Sequence, residues 1–255
     1  MIGLPTTPSF RLDGRRALVT GAGRGIGLAA SAALAQAGAA VTLCARSTAE
    51  IEAGASAIRD AGGKADTLTL DVSDVTAARD ALAAQEPFDI LVNNAGTNRI
   101  RSFTEVTLED YEVVFGLNVK GAFFVAQAVA ARMVGTGTRG SIINMSSQMG
   151  QVGGSNRSLY CASKWAVEGM SKAMALDLAP HGIRVNTICP TFIVTPLTKP
   201  ILADDAFRAH VMSMIKLGRL GQVEDLMGAI VFLASDASAL MTGSALVVDG
   251  GWTAS

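Results

Sequence analysis

The sequence predicts an α/β fold: one domain in which a parallel β-sheet is covered by helices on both faces. Three observations predict it. Short apolar runs of strand character alternate with longer helix-forming stretches along the whole chain, the pattern that repeated βαβ units produce. A glycine-rich turn, Gly21-Ala-Gly-Arg-Gly-Ile-Gly27, stands between the first strand and the first helix. The 255 residues, 49% of them hydrophobic, supply one full core and call for no second domain.

Residues 1–13, with Pro5 and Pro8, read as an extended arm before a domain over 14–255. Arg15 to Thr20 is the first buried strand, and the Ala-rich stretch from Leu28 to Ala37, closed by Gly38, is the first helix. The glycines between them suit a tight turn, close approach of backbone to a ligand, and close helix packing. Free amides at the helix start, with the helix dipole, make Gly21, Arg24, Gly25, Ile26 and Gly27 a candidate diphosphate site.

The second strand, Ala40 to Ala45, ends in Arg46 with no acid beside it. An acid here suits a free ribose 2′-hydroxyl and an arginine suits a 2′-phosphate, so Arg46, with Arg24 as a second guanidinium, points to NADP, with NAD possible. Solvated surface arginines are the competing reading. A helix from Ala49 to Ala61 and a strand from Thr67 to Leu70 follow, the latter ending at Asp71 and Val72. Asp71 either accepts from an adenine amino group or belongs to the cap of the next helix, through Ser73 or Asp74.

Phe88 to Val92 is the fourth strand, with Asn93, Asn94, Ala95 and Gly96 at its carboxyl end. Small residues there let a ligand pass close, and the two amides serve either the ligand or the loop. Thr107 to Asp110 has a capping-box pattern and opens a long helix to about Met133. Inside it Asn118 lies between Gly116 and Gly121, which predicts a bend or a water site. Gly140 to Asn144 is the fifth strand, followed by Ser146 and Ser147; Ile183 to Cys189 is the sixth, ending at Pro190 and Thr191. Residues 195–217 lack a clean period and suit a mobile lid over an apolar pocket, with surface helices as the alternative. A helix from Gln222 to Ala234 and a last strand from Ala245 to Asp249 complete the chain.

Between the fifth and sixth strands lies Tyr160, four residues before Lys164 and thirteen after Ser147. On a helix Tyr160 and Lys164 share one face, and an ammonium beside a phenol favours the phenolate. The three cysteines, Cys44, Cys161 and Cys189, are an odd number in apolar surroundings and read as reduced core fillers of a cytoplasmic protein. Neither His181 nor His210 belongs to a cluster with metal-ligand spacing, so no metal is expected. A net charge of −1 with dispersed charges disfavours nucleic acid and anionic membranes. No apolar run near ~18 residues is read as a membrane span.

Together these motifs resemble the short-chain dehydrogenase/reductase family: Thr20 to Gly27, Asp71, Asn93 to Gly96, Asn118, Ser147, Tyr160-x-x-x-Lys164, and Gly243 to Gly250. The resemblance covers essentially the whole chain. It implies a seven-stranded Rossmann sheet, a nicotinamide cofactor, and a homotetramer built through the last helices and the C-terminal strand. It also implies roles. Tyr160 would be the acid or base, Ser147 would hold the substrate oxygen, and Lys164 would lower the phenol pKa and bind the nicotinamide ribose. Asn118 would place a water linking Lys164 to solvent, and Pro190, Ile193 and Thr195 would meet the nicotinamide. Thr191 stands where many members carry glycine. Asn98, Arg99, Arg101, Gln148, Asn156 and Arg157 lie near the motifs and suit a polar small-molecule substrate, a sugar, polyol or keto acid. A 3-oxoacyl-carrier-protein reductase is the alternative, although Gly135–Gly140 and Pro180–Gly182 offer an acidic carrier little positive charge. A non-catalytic NADP sensor or scaffold would have no chemical need for the full Ser, Tyr, Lys and Asn set.

Overall fold

The computed structural model of the protein describes residues 3–254. Residues 1 and 2 of the expected arm and residue 255 lie outside the described residues. Seven strands pair in parallel: β1 (Arg16–Thr20), β2 (Ala40–Ala45), β3 (Lys64–Thr69), β4 (Ile90–Asn93), β5 (Ser141–Met145), β6 (Arg184–Pro190) and β7 (Ala245–Val248). Their order is β3-β2-β1-β4-β5-β6-β7. Chain direction across the sheet therefore reverses at β1, between β2 and β4, which opens a crevice at the carboxyl ends of the strands where ligands bind in such sheets.

Alternate side chains of one strand feed two cores. Ala17 and Val19 of β1 join the first cluster, with residues of α1 (Gly25–Gln36), α2 (Thr48–Asp60) and α8 (Glu224–Ala234). Leu18 joins the second, with residues of α3 (Val75–Ala83), α5 (Ala122–Thr136) and α6 (Ser158–Leu178). Both faces of the sheet are thus covered, as strands of nearly continuous apolar character require.

Several boundaries differ from the sequence reading. The first helix starts at Gly25, three residues early, because the last glycines of the turn already form its first turn. The capping box at Thr107 and Asp110 starts α4 (Leu108–Phe115), and the predicted bend is a π-helical turn over Gly116–Gly121 with Asn118 buried inside it. The expected lid contains α7 (Asp205–Met214), capped by the Asp204 carboxylate accepting from the Phe207 amide at 2.7 Å.

The reading of membrane spans needs correction. Leu108–Thr136 is long and apolar enough, at mean hydropathy 1.6, to cross a bilayer. Here that apolar character is spent on the second core, through Val125, Ala126, Val129 and Met133. Cys189 also differs from an apolar filler: its sulfur lies 3.2 Å from the buried Glu168 carboxylate.

Candidate active site

The carboxyl edge of the sheet opens into a cleft of about 590 Å³. Every residue assigned above to cofactor or chemistry lines it except Asn118, which stands immediately behind. The glycine turn forms one wall. Gly25 has φ +56°, and a side chain at Gly27 would collide with the Gly21 carbonyl, so the turn brings backbone against whatever fills the crevice. The first turn of α1 carries no acid, which leaves its amides and its positive end free for an anion.

Thr20 and Asn94 hold this wall in place. The Thr20 hydroxyl accepts from the amides of Asn94 and Ala95, both at 3.0 Å, while Asn94 Nδ2 donates to the Thr20 carbonyl at 3.0 Å. Asn93 Nδ2 donates to the Ala122 carbonyl at 2.7 Å and to Asn144 Oδ1 at 3.2 Å. Both asparagine side chains therefore tie elements together, and Asn94 lines the cleft beside Ala95 and Gly96.

At the far end of the cleft the two arginines are exposed, and each leans on an acid. Arg24 lies 3.3 Å from Glu50 and Arg46 lies 3.9 Å from Asp71. Asp71 also accepts from the Ser73 amide and hydroxyl at 2.9 and 2.7 Å, and Asp74 rather than Asp71 caps α3. These hydrogen bonds from Ser73, with Arg46 nearby, hold the Asp71 carboxyl below its ordinary value despite partial burial.

The other end gathers the reactive side chains. Ser147 follows β5, its hydroxyl donating to Gln148 Oε1 at 2.9 Å and accepting from the Met149 amide at 3.1 Å. Tyr160 and Lys164 share a face of α6, with Lys164 Nζ 5.6 Å from the phenol ring centre. Nζ donates to the Met145 carbonyl at 2.8 Å. Asn118 is saturated by Thr97 and Ser163: its Oδ1 accepts from the Thr97 amide at 2.8 Å and its Nδ2 donates to the Thr97 carbonyl and Ser163 Oγ. A Cβ on Gly96 would stand 3.3 Å from Asn118 Oδ1 and 3.8 Å from Lys164 Nζ, so these groups meet at one point.

Burial dominates the electrostatics of this end. Burial raises the Tyr160 pKa above the ordinary phenol value, against the opposing pull of the Ser147 hydroxyl and the Arg157 charge. The Lys164 ammonium is turned to the Met145 carbonyl, and burial pushes its own pKa down to about 8. The loop after β6 closes over the glycine turn: a Cβ on Gly25 would lie 3.3 Å from the Thr195 side chain. Thr191, where a glycine was the norm, keeps its backbone amide on the Val248 carbonyl at 3.2 Å and carries a buried hydroxyl with no partner.

Sequence reasoning singled out neither Thr20 as a strut nor Gln148 as the partner of Ser147. A threonine at the carboxyl end of the first strand, immediately before the glycine turn, was the available signal for the first. Among the described residues no group of three His, Cys, Asp or Glu side chains is placed to hold a metal ion.

A family model described as enoyl-(acyl carrier protein) reductase matches residues 21–253. D-erythrulose reductase of Gallus gallus is 42% identical over 248 residues, 97% of this chain and 99% of that protein. The chain belongs to the short-chain dehydrogenase/reductase family. L-xylulose reductase of Bos taurus is 41% identical over 96% of this chain and 99% of its own length. A crystal structure of a gluconate 5-dehydrogenase from Burkholderia cenocepacia, in complex with NADP and tartrate, superposes with a TM-score of 0.93 at 40% identity, over 96% of this chain and 98% of that one. As a member of this family the chain is an NAD(P)-dependent oxidoreductase acting on CH–OH donors.

Proposed function

We propose that this enzyme interconverts a ketone and a secondary alcohol on a polar small molecule, a sugar, polyol or keto acid, with NADP as the preferred cofactor. The observation that carries the reading is the convergence of Ser147, Tyr160 and Lys164 at one end of a glycine-walled cleft, with Asn118 behind them. The cleft fits a dinucleotide: its glycine wall admits no side chain at Gly27, and the amides at the start of α1 face an anion with no competing acid. Gly21, Gly25, Ile26, Val72, Ala95 and Gly96 would line the adenosine diphosphate half, and Pro190, Ile193 and Thr195 the nicotinamide half. Arg24 and Arg46 would exchange their loose carboxylate partners for a 2′-phosphate. Bound there, the nicotinamide supplies or accepts the hydride.

The protein's own groups handle the proton. In reduction the Tyr160 hydroxyl donates its proton to the carbonyl oxygen, and in oxidation the phenolate takes it back. The Ser147 hydroxyl donates a hydrogen bond to the same oxygen and so stabilises the charge that develops on it. Lys164, a buried cation beside the phenol, opposes the desolvation that raises the Tyr160 pKa once its ammonium turns toward the cleft. Asn118 fixes Thr97 and thereby the wall beside Lys164. The enzyme acts in the cytoplasm as a homotetramer, a state supported by two separate exposed apolar faces.

The test is a screen of ketoses, polyols and sugar acids with NADP and NAD, read at the nicotinamide absorbance, on the wild type and Tyr160→Phe. NADP should be used at lower concentration than NAD. Tyr160→Phe should lower kcat by about 10²-fold or more with NADP binding and folding intact. Unchanged kcat in the variant would remove Tyr160 from the chemistry.

A further inference from the structure

Arg157 is a charged side chain of the cleft that the proton and hydride steps do not use. It precedes α6 by one residue and Tyr160 by three, and only 6% of its surface is exposed. Burying a guanidinium is costly unless an acid or several acceptors meet it. Among the described residues none does: no carboxylate lies within ion-pair distance and no hydrogen bond holds its side chain. Arginines far more exposed do find acids, as Arg219 does with Asp225 at 2.6 Å and Arg101 with Asp110 at 3.3 Å. Arg157 instead lies against two aromatic rings, its Cζ 5.3 Å from the centre of Phe192 and 5.5 Å from that of Phe207. Ring faces offset part of the desolvation but satisfy none of the five N–H donors.

Those donors open into the cleft that Tyr160 and Ser147 line. Asn98, Ser146 and Thr191 add further polar residues to the lining of the same cleft. Unpaired guanidinium donors beside further polar lining suit a ligand that carries both an anion and hydroxyl groups. A planar fork of N–H groups matches a carboxylate, which it can hold through two parallel hydrogen bonds. We infer that Arg157 receives a substrate carboxylate, so that the physiological substrate is a polyhydroxylated acid rather than a neutral sugar. This rests on the cleft being the active site, as proposed above. Phe207 belongs to α7 and Phe192 to the loop after β6, so the carboxylate would also set the position of the segment that covers the cleft.

The test compares kcat/KM for 5-keto-D-gluconate and for L-xylulose with NADPH in the wild type, Arg157→Met and Arg157→Lys. The wild type should favour the acid. In Arg157→Met the acid-to-ketose ratio should fall by about 30-fold or more, chiefly through KM, and Arg157→Lys should recover part of it. Thermal shifts give a readout independent of turnover: D-gluconate added to the NADP complex should stabilise the wild type and not Arg157→Met, while NADP alone stabilises both. A wild type that prefers xylulose, an unchanged ratio in Arg157→Met, or equal gluconate stabilisation of both proteins would overturn the inference. If Arg157 merely braced the aromatic cluster, both substrates would lose equally. Failure of the underlying reading looks different, since it would appear as Tyr160→Phe retaining turnover on either substrate.

Discussion

Lys164 is 5% exposed and, among the described residues, its one hydrogen bond goes to a main-chain carbonyl, so the fold carries a cation at a position where neutral would be cheaper. Burial brings its pKa from 10.5 down to about 8. The unfolded chain therefore binds more protons than the folded one between about pH 8 and 10.5, and Lys164 adds stability as pH rises through that window. Below it the desolvated ammonium opposes folding in full. Lys164→Met should accordingly unfold at a higher temperature than the wild type near pH 7, and the gap should shrink as pH is raised from about 8 toward 10. Melting curves across that range check it; a gap that widens with pH would reverse the sign. Such a residue is retained against stability, which is what a group kept for chemistry shows. The four-residue spacing of Tyr160 and Lys164 made their pairing legible in the sequence, because adjacency on a helix depends on the local chain alone. The direction of the Tyr160 shift was not legible. It follows from desolvation by α7 and the loop after β6, which arrive from about thirty residues or more away in the chain. Burial of Arg157 was hidden for the same reason.

At the scale of elements, the stretch from α4 through the π-turn to α5 shows how local signals divide the work. Thr107 accepts from the Asp110 amide at 3.1 Å, and the Asp110 carboxylate accepts from the Thr107 amide and hydroxyl. This box fixes where the helix starts. The π-turn ten residues on then swings Asn118 inward to the Thr97 backbone and Ser163. Register between the two matters, since helical side chains advance about 100° per residue. Thr107→Ala should lower the unfolding free energy by roughly 1 kcal/mol, the usual worth of an N-cap, and leave cofactor affinity unchanged. Urea denaturation with a parallel NADP titration reads both; an undiminished midpoint would show that the box is idle. Both features were visible in the sequence, the box as Thr-x-x-Asp and the bend as two glycines around an asparagine. Helix α7 was not identified, although Asp204 before Phe207, Val211 and Met214 gives a cap and an apolar stripe at helical spacing. Prolines at 196 and 200 and the shortness of the stripe masked it. The inner strands β1, β2, β4, β5 and β6 are apolar runs buried on both faces and so were legible, whereas the half-exposed edge strand β3 starts at Lys64, three residues before the expected Thr67.

For the molecule as a whole, the sheet order puts β7 at an edge, with Val247 40% exposed there and Leu240 fully exposed before it. A second apolar face lies on the helices: Leu108 and Tyr111 of α4, Phe123 and Phe124 of α5, and Trp165 and Leu176 of α6 are all exposed. Isolated exposed apolar residues are ordinary, but six large ones on three helices that pack on the same side of the sheet are an interface pattern. Two self-complementary faces on one protomer generate a closed tetramer with dihedral symmetry, whereas one gives only a dimer. Trp165 sits one residue past Lys164, about 100° round α6, so it faces away from the cleft while its neighbour faces in. In the proposed tetramer a charge placed there would be buried against its symmetry mate without a partner. Sedimentation velocity should therefore find the wild type at four protomer masses and Trp165→Glu at two, held by the β7 edge, with Trp165→Glu/Val247→Glu at one. A wild type that sediments as a monomer would leave both faces without an occupant, and a tetrameric Trp165→Glu would place the second interface elsewhere. Because α6 carries Tyr160 and Lys164 on its inner face, the dimeric variant should also lose turnover by more than it loses cofactor affinity, since in the proposed tetramer a partner helix would brace the element whose two side chains must stay in line.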